Sequence, residues 1–263
     1  MANPSAFSGS IPENYHRYLV PLIFEQSADD LTSKIDPEAP VLETACGTGV
    51  VTERLRKRLA PDARLTATDI NEHMLAEARK RLDGTSIEFC VADATDLPFE
   101  NGCFDAVVCQ YGVMFFPDRV LGFAEARRML RPGGRFLFNV WDSHERNPLV
   151  GCVHRAVGAL HPDDPPGFLE LPFSYHDTNL IESELRKAGF KDIKAEVQPM
   201  TCTAPSARHV ALAFTAGTPL APQLAERGGI EPGTDAAEEA VREFVGDGPV
   251  SAPMQAITFT AIR

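Results

Sequence analysis

Val41-Leu42-Glu43-Thr44-Ala45-Cys46-Gly47-Thr48-Gly49 opens on two apolar residues, passes an acid and three short side chains, and closes on two glycines. That order predicts a buried strand running into a tight turn, with a helix after it over residues 50–60, where apolar residues recur at helical spacing. Glycines at a strand end matter because a missing Cβ permits positive φ and lets a ligand lie against backbone N–H groups. Working outward, residues 64–69 read as a second strand that delivers the carboxylate of Asp69, 22 residues after Gly47. A ribose-binding acid sits at about that distance in nucleotide-binding folds. An adenosine-bearing ligand is the first expectation.

The spacing disfavours a dinucleotide. A pyrophosphate fingerprint wants G-x-G-x-x-G, and Thr52 stands at the third glycine position. Glu43 adds a negative charge beside the loop, which would repel phosphate and suit a ligand with a positive centre. An NAD-dependent oxidoreductase is therefore the runner-up within this fold, and a non-catalytic nucleoside-binding protein the alternative from another class.

Further strands follow the same plan. Residues 86–91 form a third strand that ends at Ala92-Asp93-Ala94, a second carboxylate where open α/β sheets bind ligands. Residues 103–109 are nearly continuous apolar sequence, as expected of a strand covered on both faces. Asp118 to Leu130 reads as a helix, Arg131-Pro132-Gly133-Gly134 as its stop and a turn, and residues 135–141 as a fifth strand. Five strands alternating with helices predict a parallel sheet with helices on both faces.

Glu43 to Gly49, an acid followed after three residues by G-x-G, resembles the first motif of the class I S-adenosylmethionine-dependent methyltransferases. Leu130-Arg131-Pro132-Gly133-Gly134 before an apolar strand is a landmark of the same family, and the likeness covers about residues 40–145. It is similar to the ubiquinone/menaquinone-biosynthesis branch. The resemblance implies a doubly wound, mostly parallel, seven-stranded sheet with an antiparallel last strand, and S-adenosyl-L-methionine as cofactor. It also implies roles for single residues. Glu43, Ala45, Gly47 and Gly49 form the cofactor loop, Asp69 holds the ribose, and Ile70 and Met74 flank the adenine. Asp93 and Ala94 meet the adenine amino group, and Gln110 faces the methionine part. A leading helix caps the cofactor and presents a tyrosine, Tyr18 or Tyr15, to the methionine carboxylate, with amphipathic packing an equal alternative for both.

Three regions follow: cap helices over 1–36, with 1–12 a mobile leader and a break or kink at Pro21; a cofactor-binding core over 37–145; and a C-terminal part over 146–263 carrying acceptor-site insertions. In that last part, residues 190–198 and 254–262 read as paired strands, with small helices between them. Phe115, Phe116, Trp141, Phe168 and Phe173 are the expected walls of a small-molecule acceptor site. Methyl transfer needs a base only if the acceptor must lose a proton, and Asp142, His144 and His176 are the candidates.

Composition bounds the rest. The net charge of −12 disfavours nucleic acid as a partner, because phosphate binding needs a clustered positive footprint. Six cysteines without C-x-x-C or histidine partners predict free thiols and no metal site. With no apolar run long enough to span a bilayer and no signal-type N-terminus, a cytoplasmic protein is expected. No oligomeric state is legible.

Overall fold

Strand β1 (Val41–Glu43) is buried throughout, because it pairs in parallel with β2 (Leu65–Asp69) on one side and β4 (Phe104–Gln110) on the other. A computed structural model describes residues 7–263. With β3 (Glu88–Val91), β5 (Leu130–Trp141), β6 (Asp192–Ala204) and β7 (Val250–Ile262), the strands make one seven-stranded sheet in the order β3-β2-β1-β4-β5-β7-β6. Only β7 runs against its neighbours. The central strands are buried along nearly their whole length, as strands are when helices cover both faces. The strand order reverses between β1 and β4, and a doubly wound sheet opens a crevice at the carboxyl ends of its strands at that point.

Caps position the helices on this sheet. Gly49, at φ 82°, starts α3 (Val50–Arg58), whose last turn carries Arg56, Lys57 and Arg58 against the dipole. The Asn71 side chain accepts from the N–H groups of His73 and Met74 to start α4 (Glu72–Arg81), and Asp118 accepts from Leu121 to start α5 (Arg119–Met129). Helices α6 (Pro148–Ala159) and α7 (Thr178–Lys187) precede β6, and α7 closes on Gly189 at φ 96°.

Four expectations are corrected. Residues 1–6 of the expected leader lie outside the described residues, but Phe7 packs edge-on to Tyr15 and Phe168, and Ile11 is buried at the start of α1 (Ile11–Asn14). The chain does not break at Pro21. Residues Tyr15–Phe24 wind on as a wide-turned helix into α2 (Glu25–Ser33), a path that moves the preceding carbonyls away from the proline ring. The Arg131–Gly134 stretch is a bulge inside β5 rather than a turn before it: Phe104 pairs with Leu130 and Ala106 with Arg135. Finally, β6 and β7 pair over their full length, from Asp192 with Ile262 to Ala204 with Val250. Helices α8 (Ala207–Thr215), α9 (Leu220–Ala225) and α10 (Ile230–Val245) fill the connection between them. Among the described residues no helix is long and apolar enough to cross a membrane.

Candidate active site

A cavity of about 560 Å³ lies at the carboxyl ends of β1, β2, β3, β4 and β5, where the strand order reverses. Its floor is made of strand-end loops. After β1, Ala45 and Gly47 turn through φ 52° and 57°, and after β4 Tyr111 does so at 50°. The two loops touch: a Cβ on Gly112 would come within 2.5 Å of the Ala45 Cβ and 2.7 Å of Cys109 Sγ. Only glycine permits that approach. Ala45 and Tyr111 hold a left-handed backbone that side chains rarely adopt, a form of strain that gathers at ligand sites.

Asp69 ties the loops together. Its Oδ2 accepts the Gly47 N–H at 2.8 Å and its Oδ1 the Asn71 N–H at 2.8 Å. Burial raises its pKa, against the lowering by these backbone donors. Asp93, after β3, accepts from both the N–H and the hydroxyl of Thr95, at 2.8 and 2.7 Å. Ile70, Met74 and Ala94 stand beside the two acids, so a polar edge borders an apolar slot.

The opposite walls are aromatic. Tyr111 lies flat on Trp141, ring centroids 3.7 Å apart and planes 6° apart, while Phe24 and Phe173 pack beside Trp141 at 6.0 and 5.8 Å. Phe115 and Phe168 stack at 6.4 Å, and Phe116 and Pro117 extend that wall. Tyr15, Leu19 and Ile23 close the cavity from the wide-turned helix, and Phe214 and Thr218 from α8 and the turn after it. Burial, with Asp69 nearby, holds the Tyr15 hydroxyl protonated far above the usual tyrosine range.

Of the residues singled out from sequence, Ala45, Gly47, Asp69, Ile70, Met74, Asp93, Ala94 and Gln110 line this one cavity, as do all five aromatics expected as acceptor walls. Gln110 also braces the cap, its Nε2 donating to Phe24 O at 3.0 Å and Ser27 Oγ at 3.1 Å.

The others lie elsewhere. Tyr18 faces away, edge-on to His209, and Tyr15 takes the cavity position. Gly49 packs on α4, where a Cβ would meet Leu82 at 3.0 Å and Ala78 at 3.2 Å. Glu43 lies behind the loop, 1% exposed, its Oε2 accepting from Thr52 Oγ1 at 2.6 Å. Burial outweighs that bond and pushes the carboxyl up to about 8, so it is neutral at pH 7 and supplies no charge to the loop. Thr52, which marks the departure from the dinucleotide fingerprint, is thus the partner of a buried acid.

The three candidate bases also lie outside the cavity. Asp142 accepts from Ser143 N–H and from Gln255 Nε2, the latter at 2.6 Å. His176 Nδ1 lies 3.9 Å from the carboxylate oxygen that accepts from Ser143, and its side chain is 40% exposed. The His144 ring bonds Leu169 O at 3.0 Å and packs between His154 and Phe173. What the sequence offered for the cap was the stripe Tyr15, Leu19, Ile23 at four-residue spacing; Phe7, Phe214 and Thr218 carried no local signal.

A doubly wound sheet with two strand-end carboxylates around a glycine loop defines a nucleoside-binding α/β protein. A family model for a methyltransferase domain matches residues 41–134, from β1 into the β5 bulge. The chain is 32% identical over 169 residues to a demethylmenaquinone methyltransferase of Clavibacter sepedonicus, covering 59% of this chain and 66% of that protein. It is 33% identical over 169 residues to a ubiquinone/menaquinone biosynthesis C-methyltransferase of Desulfotalea psychrophila, covering 60% of this chain and 68% of that one. A Thermotoga maritima structure described as a SAM-dependent methyltransferase superposes with a TM-score of 0.58 at 17% identity, over 98% of each chain. The chain belongs to the class I S-adenosylmethionine-dependent methyltransferases. It spans about two thirds of the length of the curated relatives it matches.

Proposed function

We propose that this protein transfers a methyl group from S-adenosylmethionine to an apolar small molecule, with the nucleoside at the strand-end acids and the acceptor among the aromatic rings. The observation that carries the reading is the division of one cavity: Asp69 and Asp93 at one end, and Tyr111, Trp141 and Phe173 at the other. In this assignment Asp69 accepts from the ribose hydroxyls, each of its oxygens keeping a second lone pair beside its backbone donor. Asp93 and Ala94 take the adenine edge, while Ile70 and Met74 take its faces. Gly47, at φ 57°, holds the left-handed turn that glycine adopts without strain and leaves its backbone N–H side bare of a Cβ, which fits a ligand laid on the loop.

S-adenosylmethionine, when bound, supplies a methyl group already activated by its sulfonium. What the chain then contributes is position and dryness. Aligning two reactants at near-attack distance accounts for roughly 7–11 kcal/mol of a barrier, so a protein nucleophile is not needed. Tyr15, Leu19, Ile23 and Phe24 shield the cavity from water on the cap side. The names of the curated relatives point to quinone-type rings as their acceptors. An apolar ring of that kind suits these walls, and we take the acceptor class from that fit.

Calorimetry with S-adenosylhomocysteine, S-adenosylmethionine and NAD tests the cofactor. Binding of the two sulfur ligands without NAD is expected, and tight NAD binding with no response to them would remove the reading. S-adenosylhomocysteine formation across a panel of apolar acceptors then separates an enzyme from a non-catalytic binder.

A further inference from the structure

Two stretches outside the strands build the aromatic end of the cavity: Phe115, Phe116 and Pro117 after β4, and the 3₁₀ turn Phe168–Phe173 before α7. Helix α7 contributes no residue to the cavity, yet its Glu184 reaches behind both stretches. Glu184 Oε2 accepts from the Tyr175 hydroxyl, just past Phe173, and from Arg119 Nε at 3.2 Å, just past Pro117. The Arg119 guanidinium also lies 4.3 Å over the Tyr175 ring. Tyr175 is buried, and burial with Glu184 beside it keeps the hydroxyl protonated and donating. The Glu184 side chain is 13% exposed, so these bonds are made largely out of water, and a lost one is not replaced there. Arg119 opens α5, and a Cβ on Gly122 of that helix would come within 2.5 Å of Phe116 Cδ2, so the same helix seats that ring. In the other stretch Phe168 N–H donates to Gln223 Oε1 at 3.1 Å and Leu169 O meets His144, while Tyr175 holds the Phe173 end beside Trp141.

We infer, on the reading above that this end takes the acceptor, that Glu184 is a positioning residue for it: one carboxylate oxygen clasps Tyr175 and Arg119 and so fixes the gap between the two aromatic stretches. Glu184 itself lies outside the cavity. Without it Tyr175 must turn its hydroxyl toward water, because a buried donor left bare is costly, and Phe173 moves with it. Arg119 is freed at the same moment, and with it the start of the helix on which Phe116 sits. Residues that shape a site are held by the hydrogen bonds behind them, and a misplacement of about 1 Å costs up to about 100-fold in rate. Asp69 and Asp93 have no part in the clasp, so the acceptor end loosens while the strand-end acids keep their places.

Trp141 is the one tryptophan of the chain, so its fluorescence reports on this wall whatever the acceptor. Acrylamide quenching is measured on full-length protein. Binding of 2,3-dimethyl-1,4-naphthoquinone, a quinone ring with no open position for thiol addition, is measured on the same protein saturated with S-adenosylhomocysteine. Glu184→Ala and Tyr175→Phe are expected to raise the quenching constant about threefold and to weaken the quinone about fivefold, with the S-adenosylhomocysteine dissociation constant within about twofold of the parent. Tyr175→Phe keeps the ring under Arg119 and isolates the hydroxyl. Glu184→Gln keeps an oxygen in reach of both donors and should return both readouts to within about twofold of the parent. Glu182→Gln, on the same helix and paired with Arg186, should move neither. Unchanged quenching in both Glu184→Ala and Tyr175→Phe overturns the inference. So does an S-adenosylhomocysteine affinity that falls as far as the quinone's, which would make the cluster a general prop of the fold. A parent that does not bind the quinone would strike the acceptor class proposed above, and one that does not bind S-adenosylhomocysteine the cofactor assignment; the quenching comparison decides the clasp in either case.

Discussion

The backbone N–H of Gly47 donates to Asp69 Oδ2 at 2.8 Å, so the loop after β1 is braced by the acid at the end of β2. One carboxylate therefore shapes the glycine turn and forms the polar wall of the cavity. Changing Asp69 is expected to disturb both.

Asp69→Asn keeps one acceptor oxygen but turns an N–H donor toward one of the two backbone donors. A hydrogen bond to a charged group is worth about 1.5–3 kcal/mol, so S-adenosylhomocysteine should bind about 10–100-fold more weakly, with a modest fall in Tm. Calorimetry and thermal unfolding measure the two effects separately, and an unchanged dissociation constant would remove the ribose role.

Glu43 gives a pH-dependent prediction. Between its unfolded value of 4.5 and its folded value of about 8, the unfolded chain has released a proton that the folded chain retains. Stability from this group thus falls as pH rises through that window, by about 1.4 kcal/mol per unit, and levels above it. Glu43→Gln keeps a partner for Thr52 without the titration. Its stability relative to the parent should grow from pH 5 to pH 8 in urea unfolding, and a difference that stays flat would show that Glu43 ionises normally.

Gly112→Ala tests the contact between the two loops. The added methyl would lie 2.5 Å from the Ala45 Cβ, and neither backbone can yield without moving the cavity floor. Overpacking of this kind costs about 1–3 kcal/mol. Both Tm and cofactor affinity should fall, and a variant as stable as the parent would mean that the loops separate freely.

His16 ties the cap to the glycine loop through Thr48 Oγ1, 3.2 Å from its Nδ1. Burial, with Arg81 adding to it, lowers its pKa, so the folded protein resists protonation there. Stability from this contact is complete above about pH 6.5 and is lost as pH falls toward the lowered value. Protection against amide exchange over residues 11–24, corrected for the intrinsic exchange rate at each pH, should therefore fall a few-fold between pH 7 and pH 5, and His16→Gln should remove most of that dependence. Equal pH dependence in parent and variant would exclude His16 as its source.

Much of this fold was legible in the sequence because its signals are local. The apolar runs of β1 and β4, the glycines after β1 and the acids Asp69 and Asp93 each announce themselves within a few residues. What failed depended on which way a side chain turns. Trp141 and Asp142 are adjacent, but Trp141 ends β5 facing the cavity, while Asp142, the first residue past the strand, is held by Gln255 outside it. Tyr15 and Tyr18 looked equivalent until the wide-turned winding aligned Tyr15 with Leu19 and Ile23. The buried acid Glu43 reads as a charge in sequence, because only burial makes it neutral. Arg131–Gly134 carries the residues of a turn, and pairing with β4 absorbs it as a bulge.

The aromatic end of the cavity borrows Phe168, Phe173, Phe214 and Thr218 from connections that form no part of the sheet, while the end that holds Asp69 and Asp93 is built from the strand termini themselves. On the assignment proposed above, substitutions in those connections recut the acceptor's share of the space without touching the register of a single strand. A lineage could therefore exchange one acceptor for another by drift at the periphery, its grip on the methyl donor passing unaltered from ancestor to descendant.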